Sequence, residues 1–278
     1  MKEAQVAFRD IMEIELSAIG DAMIEQIIAR ARRLPPSQRL NAIKEINWPG
    51  ENDYQRNILE LMAEVSLDAI AQARKEVPKA KNVQLFEHLD SIKLASQTVL
   101  LDKLPRSLQD KFRKQAQLLV GTQLADLEKN LFYQYTDSYD TTDDMDVVNA
   151  DLKAVAVEFI DGQSVRAGAS VLASKIVNES RNAFFFDSET LEELEAFQFV
   201  NGDPVTPICQ DLAGTVFAKD DPEMFRYTPP LHWNCKSYIV PILKGNLGNR
   251  SIEKLQPSTK KIEDTIQFSE CEHDHSIK

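Results

Sequence analysis

Through the first half of the chain, apolar residues recur at three- and four-residue steps, the spacing that gathers them on one side of a helix. From Lys2 to Leu34 the stripe is Phe8, Ile11, Ile19, Met23 and Ile27. Pro35-Pro36 ends it, because proline has no amide hydrogen and disfavours helix in the residue before it. Ser37 can cap a shorter helix bearing Leu40, Ile43 and Ile46, stopped by Trp48-Pro49-Gly50. A third helix is predicted from about Asp53 to Val77, with Tyr54, Ile58, Leu61 and Val65 on one face and Pro78 closing it. Residues 82–104 are predicted helical as well. Pro105 then opens a long helix whose stripe is Leu108, Phe112, Ala116, Leu119, Leu127, Leu131 and Tyr135. Stripes of this kind are expected to pack on one another as a helical bundle.

Between Asp137 and Asp151 there are six aspartates and no lysine or arginine, which predicts an acidic loop or hinge. A divalent cation is a second reading of that cluster, although its spacing follows no calcium-loop pattern. Two further helices are expected: Met145 to Ile160, with Val148, Leu152, Val155 and Phe159, and about Gln163 to Phe186, with Val165, Leu172, Ile176 and Phe184. Asp161-Gly162 breaks the chain between them. Beyond residue 200, where seven of the twelve prolines lie, the pattern changes to short alternating runs. Phe197 and Phe199 flank Gln198 in a strand that leads to a turn at Asn201-Gly202, and Ser237 to Ile242 is a second strand. The run of Glu192, Glu193 and Glu195 reads as a solvated surface, and Phe184, Phe185 and Phe186 as core at a helix end. The expected fold is mainly α, with a helical N-terminal domain over 1–135, an acidic linker over 136–151, a small α+β domain with a short antiparallel sheet over 152–245, and a polar tail over 246–278.

The 278 residues are 43% hydrophobic, enough for a substantial core. No run approaches a membrane-spanning length, and the first ten residues lack a signal-peptide layout, so the expectation is a protein made in the cytosol. Three cysteines are too few for a disulfide framework. The formal charge of −12 is unevenly placed: residues 1–135 carry 19 basic and 19 acidic side chains, whereas 136–278 carry 13 and 25. An acidic second half disfavours direct DNA binding there and favours a basic or neutral protein surface as partner.

The stretch with most chemistry runs from Asp203 to Pro241. Cys209 precedes a turn at Gly214, and a proline-stiffened loop then brings His232 and Cys235 to the mouth of a strand. Cys209, His232 and Cys235 are a possible zinc set, with the last pair spaced as zinc ligands often are. Asp211, or Cys271, His273 and His275 from the tail, are candidates for a fourth ligand. A second reading makes the cysteines small buried hydrophobes with His232 on a backbone carbonyl, and a third is a Cys209–Cys235 disulfide in an oxidising medium.

The ordered set Asp203, Thr206, Cys209, Gly214, Pro229, Pro230, His232, Cys235, Lys236, Ser237 and Pro241 resembles the Mu F-like head morphogenesis family of phage minor head proteins. Val177 to Asn182 resembles the Glu-x-x-Arg-rich helix that precedes the block in that family, so the likeness covers about residues 145–245. Lys236 stands where arginine is usual, and Leu212 where some relatives carry a second cysteine of a Cys-x-x-Cys pair. The resemblance implies a low-copy virion protein, made in the infected host and built into the head near the portal. Its implied partners are the portal and other head or scaffold proteins, and its implied role is in head assembly, DNA packaging or DNA delivery. In that reading the motif is structural and the protein is not an enzyme. The alternative is a zinc-dependent hydrolase or nuclease centred on His232 and Cys235, where an open zinc site activates water. The phosphate-binding loop, the Gly-x-Ser-x-Gly elbow and the His-Glu-x-x-His helix do not occur in the chain.

Overall fold

The computed structural model describes residues 1–43, 47–78, 98–202, 206–232 and 234–255. Helix α1 runs over Lys2–Arg33, a 3-10 turn over Pro36–Ile43, α2 over Glu51–Glu76, a short α3 over Thr98–Leu101 and α4 over Arg106–Thr141. Next come α5 (Met145–Ile160), α6 (Gln163–Phe185) and the short α7 (Ser188–Glu192). The remainder holds β1 (Leu194–Val200), α8 (Pro207–Asp211), β2 (Val216–Ala218), a 3-10 turn (Met224–Tyr227) and β3 (Tyr238–Leu243). The fold is thus mainly α with a small antiparallel sheet near the C-terminal end. Most of the segment expected as a helix over 82–104 lies outside the described residues, as does Ile46.

Among the described residues the chain gathers into two compact units, one holding Met1–Gln5, Glu60–Phe112 and the chain from Ser170, the other Val6–Leu59 and Arg113–Ala169. The units are interleaved along the chain instead of consecutive, since α2, α4 and α6 each supply residues to both. A helix of 36 residues such as α4 spans about 54 Å, longer than one small domain requires.

In the unit built on Val6–Leu59 and Arg113–Ala169, the core is made of the expected stripes with two shifts. Phe8, Met12, Leu16, Ile19, Met23 and Ile27 are buried on α1, a run of 4-4-3-4-4 steps, whereas Ile11 sits half-buried beside it. On α5 the buried ridge is Met145, Val148, Leu152, Ala156 and Ile160, with Val155 and Phe159 at its margin. Several polar groups inside this core are paired. Tyr54 Oη donates to Gln123 Oε1, Gln123 Nε2 lies 3.5 Å from Met12 Sδ, and Trp48 Nε1 donates to Glu128 at 3.0 Å. Tyr135 Oη donates to the Arg39 carbonyl at 2.8 Å, tying α4 to the first 3-10 turn.

The acidic stretch is mostly helical, contrary to the expected loop. Residues 137–141 finish α4, and only 142–144 separate it from α5. Asp144 caps α5 by accepting from the Asp146 amide at 2.9 Å, and Arg32 meets Asp146 at 2.5 Å. Carboxylates near a helix N-terminus are stabilised by its unpaired amides, so these aspartates suit a helix start better than a solvated linker.

In the other unit the sheet order is β2-β1-β3, all antiparallel. Strand β1 is covered on both faces. Phe197 packs on Phe185 and Phe217 with ring centroids 6.1 Å apart in each pair, and Ala196 packs with Val216, Ile242 and Leu247. The turn expected at Asn201-Gly202 does not make a hairpin: β2 follows only after α8, and β3 after a longer loop. Residues 246–255, expected as part of a polar tail, return to the sheet, with Glu253 N on Val216 O at 2.7 Å and Leu255 buried.

Burial, with the Glu15 carboxylate as a lesser cause, pushes the Tyr54 phenol well above its ordinary value of 10.0. Tyr54→Phe strands the Gln123 acceptor and is expected to cost about 1–3 kcal/mol in urea unfolding at neutral pH. Above 10.0 the unfolded phenol loses its proton while the folded one keeps it, so the folded state binds more protons and wild-type stability falls as pH rises. The deficit of Tyr54→Phe should therefore shrink between about pH 10 and 11, by up to about 1.4 kcal/mol. A deficit unchanged across that range would contradict the burial account.

Candidate functional site

The motif residues belong to one unit, where α6 and the sheet hold them. Thr206 occupies the N-cap position of α8, with Pro207 in the first turn, where a missing amide hydrogen costs nothing. Its hydroxyl makes no cap bond and instead lies 2.9 Å from His232 Nε2. One turn of helix then places Cys209 with its side chain inward, 1% exposed. Gly214, at φ 79, turns the chain out of α8. Its amide bonds to Phe199 O at 3.0 Å, which starts the β1–β2 pairing.

From the other side comes the loop through the cis Pro229-Pro230 bond. Asn234, at φ 56, takes a left-handed conformation that asparagine tolerates better than most residues. The chain there turns back, with Cys235 N on His232 O at 3.2 Å. His232 Nε2 comes to 3.2 Å from Cys209 Sγ, and the two sulfurs are 3.9 Å apart. All three donor atoms lie within 4.8 Å of one another. Both cysteines are free thiols, and burial, the largest influence, pushes the Cys235 thiol above its ordinary value.

Helix α6 fixes this loop with polar side chains that the apolar pattern did not single out. Asn182 Nδ2 donates to Pro229 O at 2.7 Å, Asn178 Nδ2 to Ser237 O at 3.1 Å, and Ser170 Oγ lies 3.3 Å from Asn234 Oδ1. Arg181 forms a two-pronged pair with Glu76 at 2.6 and 3.0 Å and reaches Ile239 O at 3.4 Å. Its guanidinium also lies 5.2 Å from the Phe185 ring centroid and 5.9 Å from that of Tyr238. The stretch from Val177 to Asn182 marked this helix but gave no hint of its acceptors, which are backbone carbonyls more than forty residues away.

The structure thus brings Thr206, Cys209, Gly214, Pro229, Pro230, His232, Cys235, Lys236 and Ser237 into one neighbourhood. Ser237 Oγ accepts from Gly202 N at 3.3 Å. Pro241 lies inside β3, opposite Phe197, as the strand expected over Ser237 to Ile242 requires. Its neighbour two back, Ile239, turns its carbonyl to Arg181 on the outer edge, so the hydrogen that Pro241 lacks falls on that edge too. Asp211 is exposed and outside the three-donor group. Asp203, Cys271, His273 and His275 lie outside the described residues.

Compared with known proteins, the chain matches no family model, no curated protein and no solved structure. Among the described residues, no helix is long and apolar enough to cross a membrane.

Two substitutions probe the local packing. A Cβ at Gly202 would overlap the Lys236 carbonyl and come within 2.6 Å of Lys236 Cβ, so Gly202→Ala should cost about 1–3 kcal/mol or more by thermal unfolding. Arg181→Ala removes the partner of a part-buried carboxylate and a donor to the β3 edge. Discounted for the exposure of Glu76, its cost should be about 1–3 kcal/mol. Values near zero for both would mean that the loop is not held by these contacts.

Proposed function

We propose that this chain is a minor head protein of a tailed bacteriophage: a low-copy morphogenesis component near the portal that aids head assembly, DNA packaging or DNA delivery. The observation that supports this most is the convergence of the motif. Residues spread from Thr206 to Ser237 meet in one closely bonded clasp, and their backbone is held by α6. Its chemistry suits a structural role. A thiol raised by burial is a poor nucleophile, and both sulfurs are withdrawn from solvent. The excess of acidic side chains after residue 135 favours docking on a protein surface, the portal or a scaffold or head protein, over coating DNA.

The hydrolase alternative asks for a base beside a water-activating ion. Among the described residues no aspartate or glutamate joins Cys209, His232 and Cys235. A clasp that orders a docking loop needs no such base.

Mass spectrometry of procapsids and virions from the encoding phage should find the chain in both or in procapsids alone, at far fewer copies than the major capsid protein. Cys235→Ser, made in the phage, is expected to reduce incorporation and infectivity together. A chain missing from particles at every stage would overturn the reading.

A further inference from the structure

We propose that Cys209, His232 and Cys235 form a zinc site that locks the 229–237 loop onto α8. The three donors come from two separate segments, and they converge as ligands of one ion do. With zinc–sulfur bonds near 2.3 Å and a zinc–nitrogen bond near 2.0 Å, a tetrahedral site sets its two sulfurs about 3.8 Å apart and each sulfur about 3.5 Å from the nitrogen. Here the sulfurs are 3.9 Å apart and Cys209 Sγ is 3.2 Å from His232 Nε2. The remaining sulfur–nitrogen edge is within 4.8 Å. Movements of a few tenths of an ångström, or a small swing of one side chain, complete the arrangement.

The donor types select the ion. Two sulfurs and an imidazole nitrogen are soft to borderline ligands, suited to zinc and poor for magnesium or calcium. Two thiolates and a neutral imidazole also cancel the charge of a divalent ion, so the cluster can lie among buried side chains without a net charge. Packing and a thiol–imidazole hydrogen bond account for one cysteine beside His232, whereas three soft donors within 4.8 Å of one another form the arrangement a metal ion uses. Thr206 supplies the neighbouring polar group. Its hydroxyl does not cap α8 and lies instead beside His232 Nε2.

The supporting contacts hold the donors in place from outside. Asn182 fixes Pro229 and Asn178 fixes Ser237, on either side of the His232 to Cys235 turn. A preset ligand frame of this kind raises metal affinity and selects geometry. The inference does not depend on the head-protein reading, because it follows from the donor atoms alone.

The test uses the full chain, purified without chelator and dialysed against metal-free buffer. Elemental analysis should find about one zinc per chain. Replacement by cobalt(II) should give thiolate-to-metal charge-transfer bands and the intense visible bands of four-coordination. Cys209→Ser should abolish the charge-transfer bands or weaken them strongly. A second measurement covers the case in which that variant does not fold. In the wild-type protein, alkylation mapped by peptide mass should spare Cys209 and Cys235 until a chelator is added, and then label both. Zinc far below one per chain with a cobalt spectrum lacking thiolate bands would overturn the site, as would labelling that ignores chelator. Recovery of a Cys209–Cys235 disulfide from protein made in a reducing cytosol would overturn it as well.

Discussion

The small sheet has an open edge, and the polar face of α6 closes it. Phe199 directs its own amide and carbonyl toward Thr215 and Gly214 on the β2 side, so its partner Ile239 on β3 must point its backbone groups away from β1. A carbonyl left facing the interior with no donor costs as much as a lost hydrogen bond. Arg181 reaches that carbonyl and Asn178 the one two residues earlier, so the edge is covered by side chains and not by another strand. The position of β3, and with it the register of the loop that carries His232 and Cys235, follows from this arrangement. Glu76 keeps the arginine aimed by holding two of its nitrogens.

From that edge the clasp is built inward. Gly202 passes so close under Lys236 that a side chain has no room there, which brings the end of β1 against the start of β3. On the short helix α8 the inner residue, Cys209, meets the returning loop. His232 thereby comes within bonding distance of Thr206 and Cys209, which share one turn of α8. Phe197, between Phe185 and Phe217, supplies the apolar packing of the sheet.

Much of the fold could be read from spacing alone, and the reasons for the gaps are physical. All seven stripe residues of α4, from Leu108 to Tyr135, are buried, because a long helix with one covered face imposes a strict period. On α1 the stripe was read through Ile11 and omitted Met12 and Leu16, since a helix rich in apolar residues offers two adjacent faces and only its neighbours choose between them. Strand β2 has three residues, too short for alternation to register. The aspartates of 137–146 looked like a solvated linker because composition does not distinguish a loop from a helix junction whose amides need acceptors. In the site, the cysteine and histidine donors were legible as residue types at suggestive spacing. The roles of Asn178, Arg181 and Asn182 were not, because their acceptors are main-chain atoms that leave no mark in the sequence.

The chain leaves the clasp at Cys209 and returns to it at His232, and between them β2 is anchored in the sheet beside β1. Its turn at Asp220 is exposed. Lengthening a tethered loop at such a point adds only about 0.6 kcal/mol per doubling of its length. That makes the excursion a handle: at this turn the chain can be lengthened at little cost while the fastening beneath remains the same.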